Sequence, residues 1–239
     1  MEYYYTLPEY IDAAGSKLEI RGHDYRHLSK VLRKKRGDSI EITDGKRNIY
    51  KSEIVEITSD AIKCRIIEKA YNLYESSTDL KLFAAPLRNQ DRFEFLVEKA
   101  VEIGVSSIYP VITKNTVIKE KFSANKVERL KKIMIGAMCQ SQRCLLPELH
   151  ETIYFDELPG ITNVMENKFV FYEFADKESR FEGKQEYKSI CSLIGPEGGF
   201  SVSEIETLRN NGWQVCSLGS RKMRAETAAI ISIYEILNK

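Results

Sequence analysis

Ile194-Gly195-Pro196-Glu197-Gly198-Gly199-Phe200-Ser201 is the stretch whose reading decides the fold. Before it, Ser189 to Ile194 is a short apolar run of strand type. After it, Ser201 and Glu204 form a capping box that opens a helix running to Asn211. A glycine-rich turn carrying a strand into a helix belongs to a parallel α/β sheet, where ligands bind at the carboxyl ends of strands. Glycine accepts positive φ and allows close backbone approach, so Gly195, Gly198 and Gly199 can cradle a bound group. Neither G-x-x-x-x-G-K-[ST] nor G-x-G-x-x-G occurs, which argues against an ordinary nucleoside triphosphate or dinucleotide site.

A second turn of the same kind follows. Leu218-Gly219-Ser220-Arg221-Lys222-Met223-Arg224-Ala225-Glu226-Thr227-Ala228 leaves a strand from Gln214 and enters a final helix from Ala225 to Leu237. Cations at a helix start oppose the macrodipole, so Arg221, Lys222 and Arg224 point to an anionic group nearby rather than to capping. Upstream, strands at Leu80 to Ala85, Ser107 to Ile112 and Lys168 to Phe174 alternate with helices at Asp91 to Ile103 and Asn125 to Gln140. Phe93, Leu96, Val97, Ala100 and Val101 make one buried face, and Gly104 ends that helix. Glu98 and Glu102 read as a solvated helix face, whereas Gln140 and Arg143, ahead of Pro147, can cap carbonyls or bind RNA.

The first 70 or so residues have a different rhythm. Tyr3 to Leu7, Ser39 to Thr43, Asn48 to Ile57 and Ala61 to Ile67 read as strands, with Asp44-Gly45 as a tight turn. One helix from Asp24 to Arg33 interrupts them, with Leu28, Val31 and Leu32 as its inward stripe, and several short strands with one helix predict a small barrel. The polar stretch from Tyr71 to Thr78 is the expected boundary, giving domains 1–72 and 73–239. Arg26, Lys30, Arg33, Lys34, Lys35 and Arg36 form a basic run without an acid, a pattern that attracts phosphates. It stands out in a chain of net charge +1.

Across 239 residues, 43% hydrophobic and 30% charged content are ordinary for a folded chain of two domains. No apolar run is long enough to span a membrane, and Met1-Glu2-Tyr3-Tyr4-Tyr5 has no signal-peptide character, so a cytoplasmic protein is expected. The five cysteines are scattered without a C-x-x-C pair, and His23 and His27 have no evident third ligand, so no metal site is expected.

Taken in order, these segments resemble the 16S ribosomal RNA uracil-N3 methyltransferases (small subunit methyltransferase E), within the SPOUT superfamily. The matching stretches are His27 to Arg33 with Gly37-Asp38, Glu98 to Val105, Gln140 to Arg143 with Pro147, Ile194 to Ser201, and Leu218 to Ala228. The resemblance implies an α/β fold: an N-terminal PUA-like β-barrel for RNA and a C-terminal SPOUT-type domain with a mostly parallel sheet and a trefoil knot. It also implies a homodimer, for which Ile230, Ile233, Tyr234 and Leu237 of the last helix offer an apolar face. S-adenosylmethionine is the implied cofactor, held by Leu193, Gly195, Gly199, Leu218, Gly219, Met223 and Arg224. The expected partner is 16S ribosomal RNA within the small subunit, gripped by Arg26, His27, Lys30, Arg33, Lys34, Lys35, Arg36 and Arg143.

For chemistry at a base nitrogen, Glu197 is the nearest candidate general base, and Arg221 or Arg224 can stabilise charge on the uracil. Two other readings stay open in the sequence. A SPOUT methyltransferase acting on another RNA base would share every feature quoted. A non-enzymatic RNA-binding assembly factor would share the barrel and the basic run but would bind no methyl donor.

Overall fold

The computed structural model describes residues 2–176, 178–183 and 187–238. The chain divides into two compact units. The first takes the residues up to Glu75 together with Ile135–Leu146, and the second takes Ser76–Met134 and the residues from Pro147 onward.

The first unit is built on a six-stranded sheet of β1 (Tyr4–Tyr5), β2 (Ile11–Asp12), β3 (Lys17–Arg21), β4 (Ser39–Thr43), β5 (Asn48–Ile57) and β6 (Ala61–Tyr71), in the order β1-β4-β5-β6-β3-β2. Its pairings are antiparallel except β1 with β4. Alternation drives the packing: Ile40 and Ile42 of β4, Leu18 and Ile20 of β3, and Ile62 and Cys64 of β6 all turn into one buried cluster. Register shifts at Lys51/Ser52 and Ile54/Glu56 bend β5. The sheet curls far enough for the Thr6 hydroxyl, just past β1, to donate to the Glu19 carbonyl of β3. At the β4–β5 turn, Gly45 takes φ +70°. The Asp44 carboxylate there accepts the backbone N–H of Lys46 at 2.8 Å.

The helix in this unit differs from expectation. It begins at Gly22, as α1 (Gly22–Arg26), and continues as a π-helical turn over His27–Val31. The Leu32 N–H donates to the His27 carbonyl five residues back. That wider turn moves the next apolar residues off the inner face. Tyr25 and Leu28 are buried, but Val31 and Leu32 are 66% and 44% exposed, so the stripe of Leu28, Val31 and Leu32 holds only at Leu28.

Glu75 and the segment 135–146 complete this unit. Arg143, expected as an RNA contact, is buried within this unit. Its guanidinium is buried against the Glu75 carboxylate at 2.7 Å, their side chains 5% and 2% exposed. The other Glu75 oxygen accepts the N–H groups of Cys144 and Leu145. Burial pushes the Glu75 pKa up, but Arg143 and the two N–H donors outweigh it and hold it below the usual carboxylate value.

The second unit contains β7 (Asp79–Ala84), α2 (Gln90–Ile103), β8 (Ser107–Ile112), α3 (Ala124–Gln140, its last turns counted in the first unit), β9 (Glu148–Leu149), β10 (Ile153–Tyr154), α4 (Leu158–Thr162), β11 (Asn167–Phe171), β12 (Ser189–Ile194), α5 (Val202–Asn210), β13 (Gln214–Cys216) and α6 (Ala225–Leu237). Every pairing in its sheet is parallel, in the order β10-β8-β7-β12-β11-β13, with β9 also on β8. Helix α2 carries the expected inward row of Phe93, Leu96, Val97, Ala100 and Val101. The capping box of α5 forms as read, Ser201 with Glu204. In α6 Ile233 is buried while Tyr234 is 59% exposed, so the apolar residues of that helix do not share one outward face.

Candidate active site

The register of the parallel sheet makes the site. Ala84 pairs with Ile194, Ile194 with Phe171, and Phe171 with Cys216, so β7, β12, β11 and β13 end level with one another. The loops that follow them therefore open along one edge. There they line a cavity of about 680 Å³, with Phe171 to Phe174, Ile194 to Glu197, Gly199 and Phe200, and Ser217 to Ala225 on its walls.

One row below, Phe83, Leu193 and Val170 pair across the sheet and belong to the buried core. Leu193 thus has its side chain in the core, not in the cavity. Period-two alternation gives the lining position to Ile194 instead. Gly195, Gly199, Leu218, Gly219, Met223 and Arg224 do line the cavity. A Cβ at Gly195 would meet the Phe200 ring at 2.9 Å. Gly199 takes φ +64°, and a Cβ there would lie 3.2 Å from the Glu173 carboxylate. Asn115 fixes this turn from outside, its side-chain amide donating to the carbonyls of Gly198 and Gly199.

Charge around the cavity is organised by a residue that motif reading passes over. Arg92, on α2, donates to both oxygens of Glu226 in the first turn of α6, with Nε to Oε1 at 2.8 Å. It also stands 3.7 Å from Glu197 of the glycine-rich turn. Glu197 in turn accepts the backbone N–H of Arg88 at 3.1 Å. Glu226 is buried, which pushes its pKa up, but the Arg92 hydrogen bonds and charge prevail and keep it below the usual value. Glu226 is thus bonded to Arg92 of α2, while Arg224 beside it acts on it through charge. Lys222 reaches Glu173 at 2.7 Å, tying the Arg221–Arg224 loop to the loop after β11. Arg221 and Arg224 are exposed on the cavity wall.

Elsewhere, Arg26, Lys30, Arg33, Lys35 and Arg36 are exposed, with Lys34 and His27 half-buried. His27 lies 3.7 Å from a Glu2 carboxylate oxygen. Lys99 pairs with both Glu98 and Glu102. Among the described residues no group of His, Cys, Asp and Glu could hold a metal ion, and no helix is long and apolar enough to cross a membrane.

Comparison with known proteins places this geometry. The RNA methyltransferase domain matches residues 74–236, and the RNA methyltransferase PUA domain matches residues 20–67. The fold is accordingly α/β, a SPOUT-type methyltransferase domain with a mostly parallel sheet joined to a PUA-like curled sheet, and the class is RNA methyltransferase. Within that class the chain belongs to the ribosomal RNA small subunit methyltransferase E family. It is 33% identical to the member from Mesomycoplasma hyopneumoniae over 76% of this chain and 80% of that one. It is 30% identical to the member from Rickettsia conorii over 94% and 91%. The crystal structure of the Neisseria gonorrhoeae member bound to S-adenosyl methionine superposes with a TM-score of 0.84 at 26% identity, over 98% of this chain and 95% of that one.

Proposed function

We propose that this chain transfers a methyl group from S-adenosylmethionine to N3 of a uridine in 16S ribosomal RNA of the small subunit. The observation that carries the reading is the glycine-lined cavity at the level ends of β7, β12, β11 and β13. Its relatives support the donor and the small-subunit RNA: they are ribosomal RNA small subunit methyltransferases E, one of them crystallised with S-adenosyl methionine.

The cavity fits that donor. Its volume of about 680 Å³ lies in the roughly 300–1,000 Å³ range of small-molecule sites. Phe171, Ile194, Leu218 and Met223 give it an apolar lining, and the lack of room for a Cβ at Gly195 and Gly199 leaves main chain to meet the ligand. Gly195, Gly199, Leu218, Gly219, Met223 and Arg224 are the residues that would hold it. Bound there, S-adenosylmethionine supplies a methyl group on a sulfonium centre, already a good leaving group.

What remains for the protein is to position the base, exclude water and take up the N3 proton. Glu197 is the proposed acceptor of that proton, and Arg221 and Arg224 stabilise the negative charge that its loss leaves on the uracil. Glu197→Gln keeps an oxygen for the Arg88 N–H. It should therefore lower kcat about 10²-fold or more while donor affinity by calorimetry stays near wild type. Unchanged kcat would remove Glu197 from the proton path.

Residues 1–72 act as the RNA grip and 73–239 as the catalytic part, with a trefoil knot in the latter. The protein works as a cytoplasmic homodimer, and the transfer calls for no metal. Arg26, His27, Lys30, Arg33, Lys34, Lys35 and Arg36 hold RNA phosphates. Replacing Lys34, Lys35 and Arg36 together by Ala should weaken binding to small ribosomal subunits and flatten the slope of log affinity against log salt by about 2–3. A slope equal to wild type would make this run a solvated surface. The whole reading is tested by nucleoside mass spectrometry of 16S RNA from cells with and without the gene. Loss of 3-methyluridine is expected, and its persistence would overturn the proposal.

A further inference from the structure

We infer that Phe174 is the surface on which the target nucleobase stacks, an inference that rests on the RNA methyltransferase reading above. Among the described residues, Phe174 is the one large apolar side chain that is both well exposed, at 73%, and on the wall of the active-site cavity. Its neighbour Tyr172 meets it edge-on, ring centroids 5.5 Å apart at 72°. An edge contact of this kind holds a ring in place without covering both of its faces. Between the two rings, Glu173 is paired with Lys222 at 2.7 Å. The aromatic loop is thereby anchored to the cationic loop on which Arg221 and Arg224 sit.

This is the arrangement that chemistry at N3 requires. N3 lies on the pairing edge of uracil, so the base must leave its helix and lose its stacking neighbours before it can react. An exposed aromatic ring beside the reaction cavity replaces one such neighbour and accepts any planar base. Arg221 and Arg224 line the same cavity, so a base stacked there would have cations at hand for the oxygens that flank N3. A lone exposed apolar ring is ordinary on a protein surface; its place on the wall of the reaction cavity is what points to a ligand.

The test compares wild type with Phe174→Ala, Phe174→Leu and Phe174→Trp. The probes are S-adenosylmethionine by calorimetry and small ribosomal subunits from cells lacking the gene, followed by both binding and methylation. A stack of one base predicts a loss of about ten- to a hundredfold in kcat/KM for subunits, with weaker subunit binding, in both the Ala and the Leu variants. Trp should restore both, and donor affinity should be equal in all four proteins. Full activity in Phe174→Ala overturns the assignment, as does a Leu variant that performs like Trp. A lowered donor affinity in Phe174→Ala would instead give the ring to the donor and overturn it too. If wild type itself binds no S-adenosylmethionine, the functional reading fails, and this inference with it.

Discussion

Replacing Glu75 by Ala is expected to lower folding stability by about 3–5 kcal/mol, because it takes the carboxylate away from a buried guanidinium. The same change deprives the N–H groups of Cys144 and Leu145 of their acceptor. Arg143→Ala should be comparably damaging, since it leaves the Glu75 carboxylate buried without its cation. Both are read from denaturant midpoints, and a loss below about 1 kcal/mol would show the pair to be far better solvated than its burial implies. Were Arg143 an RNA contact, the Ala variant would lose RNA affinity and keep its midpoint. The pH dependence follows from the lowered Glu75 pKa. The pair stabilises the fold fully above the unfolded carboxylate value of about 4.3, and its contribution disappears as pH falls through the lower folded value.

Arg92→Ala should cost less stability, about 2–3 kcal/mol, because Arg92 remains 28% exposed. Its effect on function should be larger. With Arg92 gone, neither Glu226 at the head of α6 nor Glu197 on the glycine turn is held to α2, and the walls of the cavity lose their common tie. Donor affinity should fall by about tenfold or more, the equivalent of 1.4 kcal/mol. Lys should rescue only in part, since it replaces a two-point hold by one. Equal donor affinity in wild type and the Ala variant would reduce the residue to a local stabiliser. In the variant the Glu226 pKa moves up, because burial is then opposed only by its own backbone N–H and the charge of Arg224. The stability gap from wild type should therefore close in acid and widen as pH rises through the carboxylate range.

What the sequence disclosed and what it hid divide along physical lines. The two glycine turns were legible because strand, turn and helix cap are local in sequence, and Ser201 with Glu204 caps α5 as its spacing requires. Strand β3 went unread, since Lys17–Arg21 is short and polar at three of its five positions. The exposure of Val31 and Leu32 was hidden because a π turn leaves the same residues in the same order but rotates where they point. The resemblance put Leu193 among the ligand residues, yet a side chain's face on a strand is set by register, and register depends on a partner elsewhere in the chain. Arg92 and Glu226 are 134 residues apart, as Arg143 and Glu75 are 68 apart. No window that slides along the chain can see either pair.

The borrowing of residues 135–146 by the first unit bears on how the protein is made. As the chain emerges from the ribosome, the amino-terminal sheet waits for a stretch some sixty residues downstream before Glu75 can find its arginine. A fragment ended at residue 75 would lack the segment that covers Glu75, and with it the four N–H groups of Arg143, Cys144 and Leu145 that its carboxylate accepts. Trimming the gene at its apparent domain boundary should thus yield an unstable product, whereas one carried through Leu146 has the parts to close.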